Sequence, residues 1–262
     1  MTRTLRAEDV YSRLLRGLAM VALLLCLPVR AEPVLVAAAS SLKFALEEVL
    51  QGYQAEGKGE IQLVFGSSGN FYRQIRQSAP YQLYLSADES YVQQLQRAGL
   101  TEGEGVVYCV GRLAYFAPTG SRLQPEQGVE DLRRALEEKR LTRFAIANPA
   151  HAPYGRAARE VLQRLQLMES IGPYLVMGEN VSQATQFATS GATDGGLIAY
   201  SLAVSPPIAA RGRYSLVPDH LYQPLLHRAV LIKGAGAGAR SLYTYLQSEA
   251  AKRVFARHGF GL

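Results

Sequence analysis

The chain has 262 residues, of which 48% are hydrophobic and 19% charged, with a formal charge of +6. That composition excludes a disordered chain and allows one large domain or two modest lobes, each with its own core. Residues 1–31 hold five arginines and two acids, which leaves only +3 on the remainder, with no basic run of the kind that binds nucleic acid.

Residues 1–31 read as an export signal. Arg3, Arg6, Arg13 and Arg16 precede an apolar stretch from Leu18 to Leu27, and the small Ala31 ends the segment. The stretch is too short to span a bilayer comfortably, and no second one follows; an uncleaved anchor is the alternative reading. Leu25 is too bulky to make Cys26 a lipid-attachment site. Cleavage leaves Cys109 as the lone cysteine, so no intramolecular disulfide is expected. Within Val106–Val110 it reads as a small buried apolar residue. No Cys or His cluster has ligand spacing, and no zinc or iron site is expected.

The mature chain alternates strands and helices. A strand over 33–39 leads to a helix over 42–55 with Leu42, Ala45, Leu46, Val49 and Leu50 on one face. A strand over 61–65 leads to a helix over 70–78. A short strand over 83–85 precedes a helix over 89–98, closed by Gly99. Strands are expected at 112–117 and 144–147, with a helix over 129–138 between them. Asn148 to Gly155 forms a turn before a helix over 156–167. A helix over 181–189 follows Glu179-Asn180. Strands over 195–200 and 229–232 and a terminal helix over 241–256 complete the chain. The class is α/β with largely parallel sheet. No repeat or long linker divides it; two lobes exchanging strands and a single doubly wound domain both fit.

Ligands of open α/β folds gather beyond the carboxyl ends of strands. Four turns lie there: Ser40-Ser41, Gly66–Gly69, Ala152–Gly155 and Asn180-Val181. They are rich in hydroxyls and helix-starting amides and, apart from Lys43, poor in charge. Such groups suit a dehydrated anion. One such turn would be an ordinary helix cap; four in corresponding places leave a site and a set of caps as equal readings.

These residues carry a family resemblance. The chain from Val34 to Phe260 resembles the periplasmic molybdate-binding proteins of ATP-driven importers, a type II periplasmic binding protein family. The most specific segments are Val36–Leu42, Phe65–Gly69 with Arg73–Ile75, Leu85–Asp88, and Asn148-Pro149 with Ala152–Ala158. The resemblance implies a two-lobed α/β protein, each lobe a mostly parallel sheet flanked by helices. The first lobe would comprise 32–111 with a return segment 232–262, and the second 112–231. It implies that molybdate or tungstate binds between the lobes, with no cofactor and no catalysis. Ser41 and Ser68 would donate from the first lobe, with Ser40 as an added contact; Tyr154 and Val181 would donate backbone N–H groups from the second. A periplasmic monomer that passes the anion to a membrane permease and its ATPase follows, with no nucleic-acid partner. Some family members have a ligand tyrosine where this chain has Ala199, one residue before Tyr200; a one-residue slip turns a strand side chain to the other face, so Tyr200 is not counted. Gln82 stands where an acid is common.

Two alternatives compete: the same fold binding sulfate or another small oxyanion, and a serine hydrolase using Ser68. Gly66–Asn70 departs from G-x-S-x-G at Asn70, and His151 is the one histidine near a candidate turn. The Gly234–Ala239 run imitates a dinucleotide loop, but too little chain follows it, so it reads as a flexible loop.

Overall fold

The structure, a computed structural model, describes residues 33–262. The signal expected over 1–31 lies outside them. Ten strands form two five-stranded sheets. The first contains β1 (Val34–Ala39), β2 (Ile61–Gly66), β3 (Leu83–Ser86), β4 (Thr101–Gly111) and β10 (Leu225–Ile232), in the order β2-β1-β3-β10-β4. The second contains β5 (Leu113–Pro118), β6 (Phe144–Ala147), β7 (Leu175–Gly178), β8 (Gly195–Ala199) and β9 (Gly212–Leu216), in the order β7-β6-β8-β5-β9.

Both sheets are mostly parallel, with one strand reversed in each. β1 runs parallel to β2 and β3, while β10 is antiparallel to β3 and β4. β6 runs parallel to β7 and β8, while β5 is antiparallel to β8 and β9. The two topologies are the same, with β1 matching β6 and β2 matching β7, although the sequence shows no repeat. The antiparallel pairs arise where the chain crosses between sheets. Only Arg112 separates β4 from β5, and residues 217–224 separate β9 from β10. The return strand therefore enters the first sheet at Leu225.

The helices follow from apolar periodicity and caps. In α1 (Lys43–Ala55), Ala45, Leu46, Val49, Leu50 and Tyr53 are buried along one stripe. The N–H groups opening α2 (Ser68–Arg76) and α3 (Glu89–Arg97) are capped by the side chains of Ser67 and Asp88. α4 spans Asp131–Glu137. α5 (Pro153–Arg164) begins earlier than its apolar periodicity suggests, because Pro153 suits the first helical position. Asn180 caps α6 (Val181–Thr189). The expected terminal helix is two, α7 (Ala237–Tyr245) and α8 (Glu249–Arg257), since Ser248 starts a new cap. The glycine-rich run before α7 is a turn held by Gln82, whose side-chain oxygen accepts from the Gly236 N–H at 3.0 Å. One continuous cluster of buried side chains runs from Val36 and Leu46 to Tyr115, Phe144 and Leu162. Cys109 is buried within it and has no disulfide partner among the described residues.

Candidate functional site

The carboxyl ends of β1, β2, β6 and β7 converge on one small, tight pocket. Because β1 matches β6 and β2 matches β7, equivalent turns from the two sheets face each other across it. Ser40, Ser41, Ser68, Tyr154 and Val181 all line it. Among the described residues no charged side chain does; Lys43 pairs with Glu47 at 2.7 Å and lines a separate groove.

Ser41, Ser68, Tyr154 and Val181 each present a donor. Ser41 is 1% exposed, and its Oγ has no hydrogen-bond partner among the described residues. The nearby Tyr154 phenol, whose pKa is pushed up by burial and eased down by the Ser41 hydroxyl, does not meet that oxygen in hydrogen-bond geometry. An orphaned buried hydroxyl carries a desolvation cost of about 1–3 kcal/mol unless something binds it. Ser68 is fully buried, and its Oγ accepts from the Ala87 N–H at 3.0 Å. That bond uses a lone pair and leaves the hydroxyl proton to donate. The Tyr84 hydroxyl holds the Ser68 carbonyl at 2.7 Å, and Ser86 Oγ donates to the Asp88 carbonyl at 2.7 Å. The Ser86-Ala87-Asp88 segment is thus the buttress of Ser68. The N–H groups of Ser68, Tyr154 and Val181, in the first turns of α2, α5 and α6, have no partner among the described residues. Helix starts add partial positive charge to these donors.

Around the cavity the turns are clasped together. The Gly69 N–H donates to the His151 carbonyl at 2.9 Å, and Ser67 Oγ meets His151 Nδ1 at 2.9 Å. The Ser182 N–H donates to Ser40 Oγ at 3.3 Å and its hydroxyl to the Ser40 carbonyl at 3.0 Å. Ser201 Oγ donates to the Ser41 carbonyl at 2.8 Å. Arg156 on α5 pairs with Asp88, the cap of α3. Ser40 therefore serves as a latch to α6 as well as a wall. The parts played by Ser182, Ser201 and His151 escape a sequence reading, because their partners lie 84 to 160 residues away. Tyr200 stays outside the cavity: its ring packs on Tyr214, with centroids 6.1 Å apart, and against Gly259.

The arrangement can hold a small anion that offers only acceptors, between neutral donors from both sheets. The family model for bacterial extracellular solute-binding proteins matches residues 34–261. The molybdate-binding protein ModA of Rhodobacter capsulatus is 33% identical over 261 residues, covering 98% of this chain and 97% of its own. The molybdate-binding protein ModA of Azotobacter vinelandii is 32% identical over 242 residues, covering 91% and 94%. The solved periplasmic molybdate-binding protein of Azotobacter vinelandii superposes with a TM-score of 0.79 at 26% identity, covering 87% of this chain and 99% of that one.

Proposed function

We propose that this chain, which belongs to the family of bacterial extracellular solute-binding proteins, is the periplasmic receptor of an ATP-driven importer and binds molybdate or tungstate. The buried, partnerless Ser41 Oγ on the cavity wall is the observation that carries this reading. Ser41, Ser68 and the Tyr154 and Val181 N–H groups are the ligand donors. Ser40 contributes mainly by latching α6. The two lobes follow the sheets, 33–111 with 225–262 against 112–224, and the protein works as a monomer. Anion binding favours the arrangement in which both halves contribute donors, and the permease and its ATPase receive that closed form. A donor-only site favours fully ionised tetrahedral anions. Monoprotonated phosphate turns a proton towards a donor and leaves a buried group unpaired, at about 1–3 kcal/mol. The hydrolase alternative finds no support: the Ser68 hydroxyl contacts the Ala87 N–H, and His151 meets Ser67, which caps α2.

Calorimetric titration with molybdate, tungstate, sulfate and phosphate tests the reading, with saturable binding of the first two and little of phosphate expected. Ser41→Ala should weaken molybdate binding by about 10- to 100-fold, the value of a hydrogen bond to a charged group. Its unliganded melting temperature should hold or rise, because the orphaned hydroxyl is gone. Ser68→Ala should weaken binding similarly but lower the unliganded melting temperature, because the Ala87 N–H loses its acceptor. Wild-type affinity in both variants would place the site elsewhere.

A further inference from the structure

We infer that the Tyr154 phenol is a positioning residue for the anion site: wedged between Gly111 on the first crossing and His227 on the return strand, it sets where the start of α5 stands relative to Ser41 and Ser68. The inference rests on the oxyanion reading above and adds a role for a side chain that this reading leaves unused. The Tyr154 N–H opens the first turn of α5 at the cavity, and its ring, 2% exposed, carries the phenol past the Ser41 hydroxyl to the crossing between the sheets. There its hydroxyl lies 3.4 Å from His227 Nε2. A Cβ added at Gly111 would lie 2.3 Å from the phenol oxygen and 3.1 Å from Cζ. Gly111 does not have a positive φ, so the approach of the phenol, not backbone conformation, explains the glycine.

The place of contact gives the phenol leverage. Gly111 ends β4 one residue before β5 begins, and it pairs with Leu225 at the start of β10. Both strands that cross between the sheets therefore meet beside the Tyr154 ring. His227 is held in turn by Phe260 and Tyr108, at 5.3 and 6.2 Å between ring centroids. A helix start anchored on the crossing itself keeps its N–H in register with the first-sheet donors when the halves close. A small error at the pivot displaces a donor, and hydrogen bonds weaken steeply with such displacement.

The test compares wild type, Gly111→Ala, Tyr154→Phe and the double variant by calorimetry with molybdate, alongside unliganded melting. Gly111→Ala should weaken binding at least about tenfold. Tyr154→Phe, which keeps the N–H, should weaken binding less. In the Gly111→Ala background the same change should restore affinity, because it removes the atom the methyl group strikes. Recovery should be partial, since Cζ and His227 Nε2, 2.9 Å from the added Cβ, remain near. A purely structural role predicts lowered melting temperatures with unchanged dissociation constants, and that result overturns the proposal. If Gly111→Ala does not fold, Tyr154→Phe alone decides: wild-type affinity with a wild-type change in radius of gyration on adding molybdate overturns it. Failure of the wild type to bind any oxyanion overturns the site reading together with this one, whereas a binding wild type with unaffected variants overturns only the positioning role.

Discussion

Gly69→Ala is expected to lose tight oxyanion binding while the unliganded protein stays folded. Gly69 is the second residue of α2, and its N–H donates to the His151 carbonyl on the opposing turn at 2.9 Å. A Cβ there would lie 2.6 Å from the His151 carbonyl oxygen, 3.0 Å from its Cα and 2.7 Å from the Tyr91 hydroxyl. The Tyr91 hydroxyl ends a half-buried side chain, whereas the His151 carbonyl belongs to the backbone of the other half, which can only retreat. Retreat by most of an ångström carries the Tyr154 and Val181 donors away from Ser41 and Ser68. Losing two hydrogen bonds to a charged ligand costs at least about 3 kcal/mol, or more than about 100-fold in affinity. Alanine is also the better helix former, by about 1 kcal/mol, so the separated form gains rather than loses local stability. Calorimetry with molybdate and a thermal melt without it would check both halves of this expectation. Wild-type affinity would mean that the Gly69–His151 contact does not govern closure.

The contrast between Gly69 and Ser41 shows how far the site is legible in the sequence. The four turns stand out because each follows an apolar run and is made of small residues, which is a local pattern. Ser67, one residue before Ser68, is the residue that caps α2, a difference of one position within the turn. The reason Gly69 is a glycine is not local, because the atom it must avoid belongs to His151. The same applies to Gly111, which must clear Tyr154, and to Ser182 and Ser201, which latch onto β1's turn.

The strands tell a similar story. β1, β3, β6 and β8 are apolar and almost wholly buried, so they are readable as runs. β7 and β9 sit at sheet edges and are half exposed; β7 is only four residues long, and the Arg213 and Ser215 of β9 blur its signal. β4 begins Thr-Glu-Gly-Glu-Gly, which reads as loop, and the positive φ of Gly103 and Gly105 accompanies register shifts against β10. The mixed character of the sheets and the matching of β1 with β6 are properties of connection, and connection is not written in any window of residues.

The second large effect is expected at acid pH and comes from His227. This side chain on β10 is fully buried, and burial holds its pKa down to about 3 from an ordinary 6.5. The titratable groups around it are Tyr154, Tyr108 and Cys109, each kept neutral by its own burial, and none offers a carboxylate to compensate a charged ring. The folded state therefore takes up no proton on His227 until near pH 3, while the unfolded chain takes one up around pH 6.5. Stability from this group is complete above 6.5 and is lost as the pH falls towards 3. The slope approaches about 1.4 kcal/mol per pH unit, giving roughly 2 kcal/mol between pH 7.5 and 5. That window lies above the carboxylates: Glu48, held low by hydrogen bonds from His258 and Arg257, ionises below its ordinary 4.5. Urea unfolding at half-unit steps from pH 7.5 to 5, for wild type and His227→Gln, would isolate the effect. The variant is expected to be less stable at pH 7.5, because the packing around the ring is disturbed, yet flatter by close to one proton across the window. The slope is independent of that baseline, so parallel pH profiles would show that the buried ring is not the proton acceptor that limits acid stability.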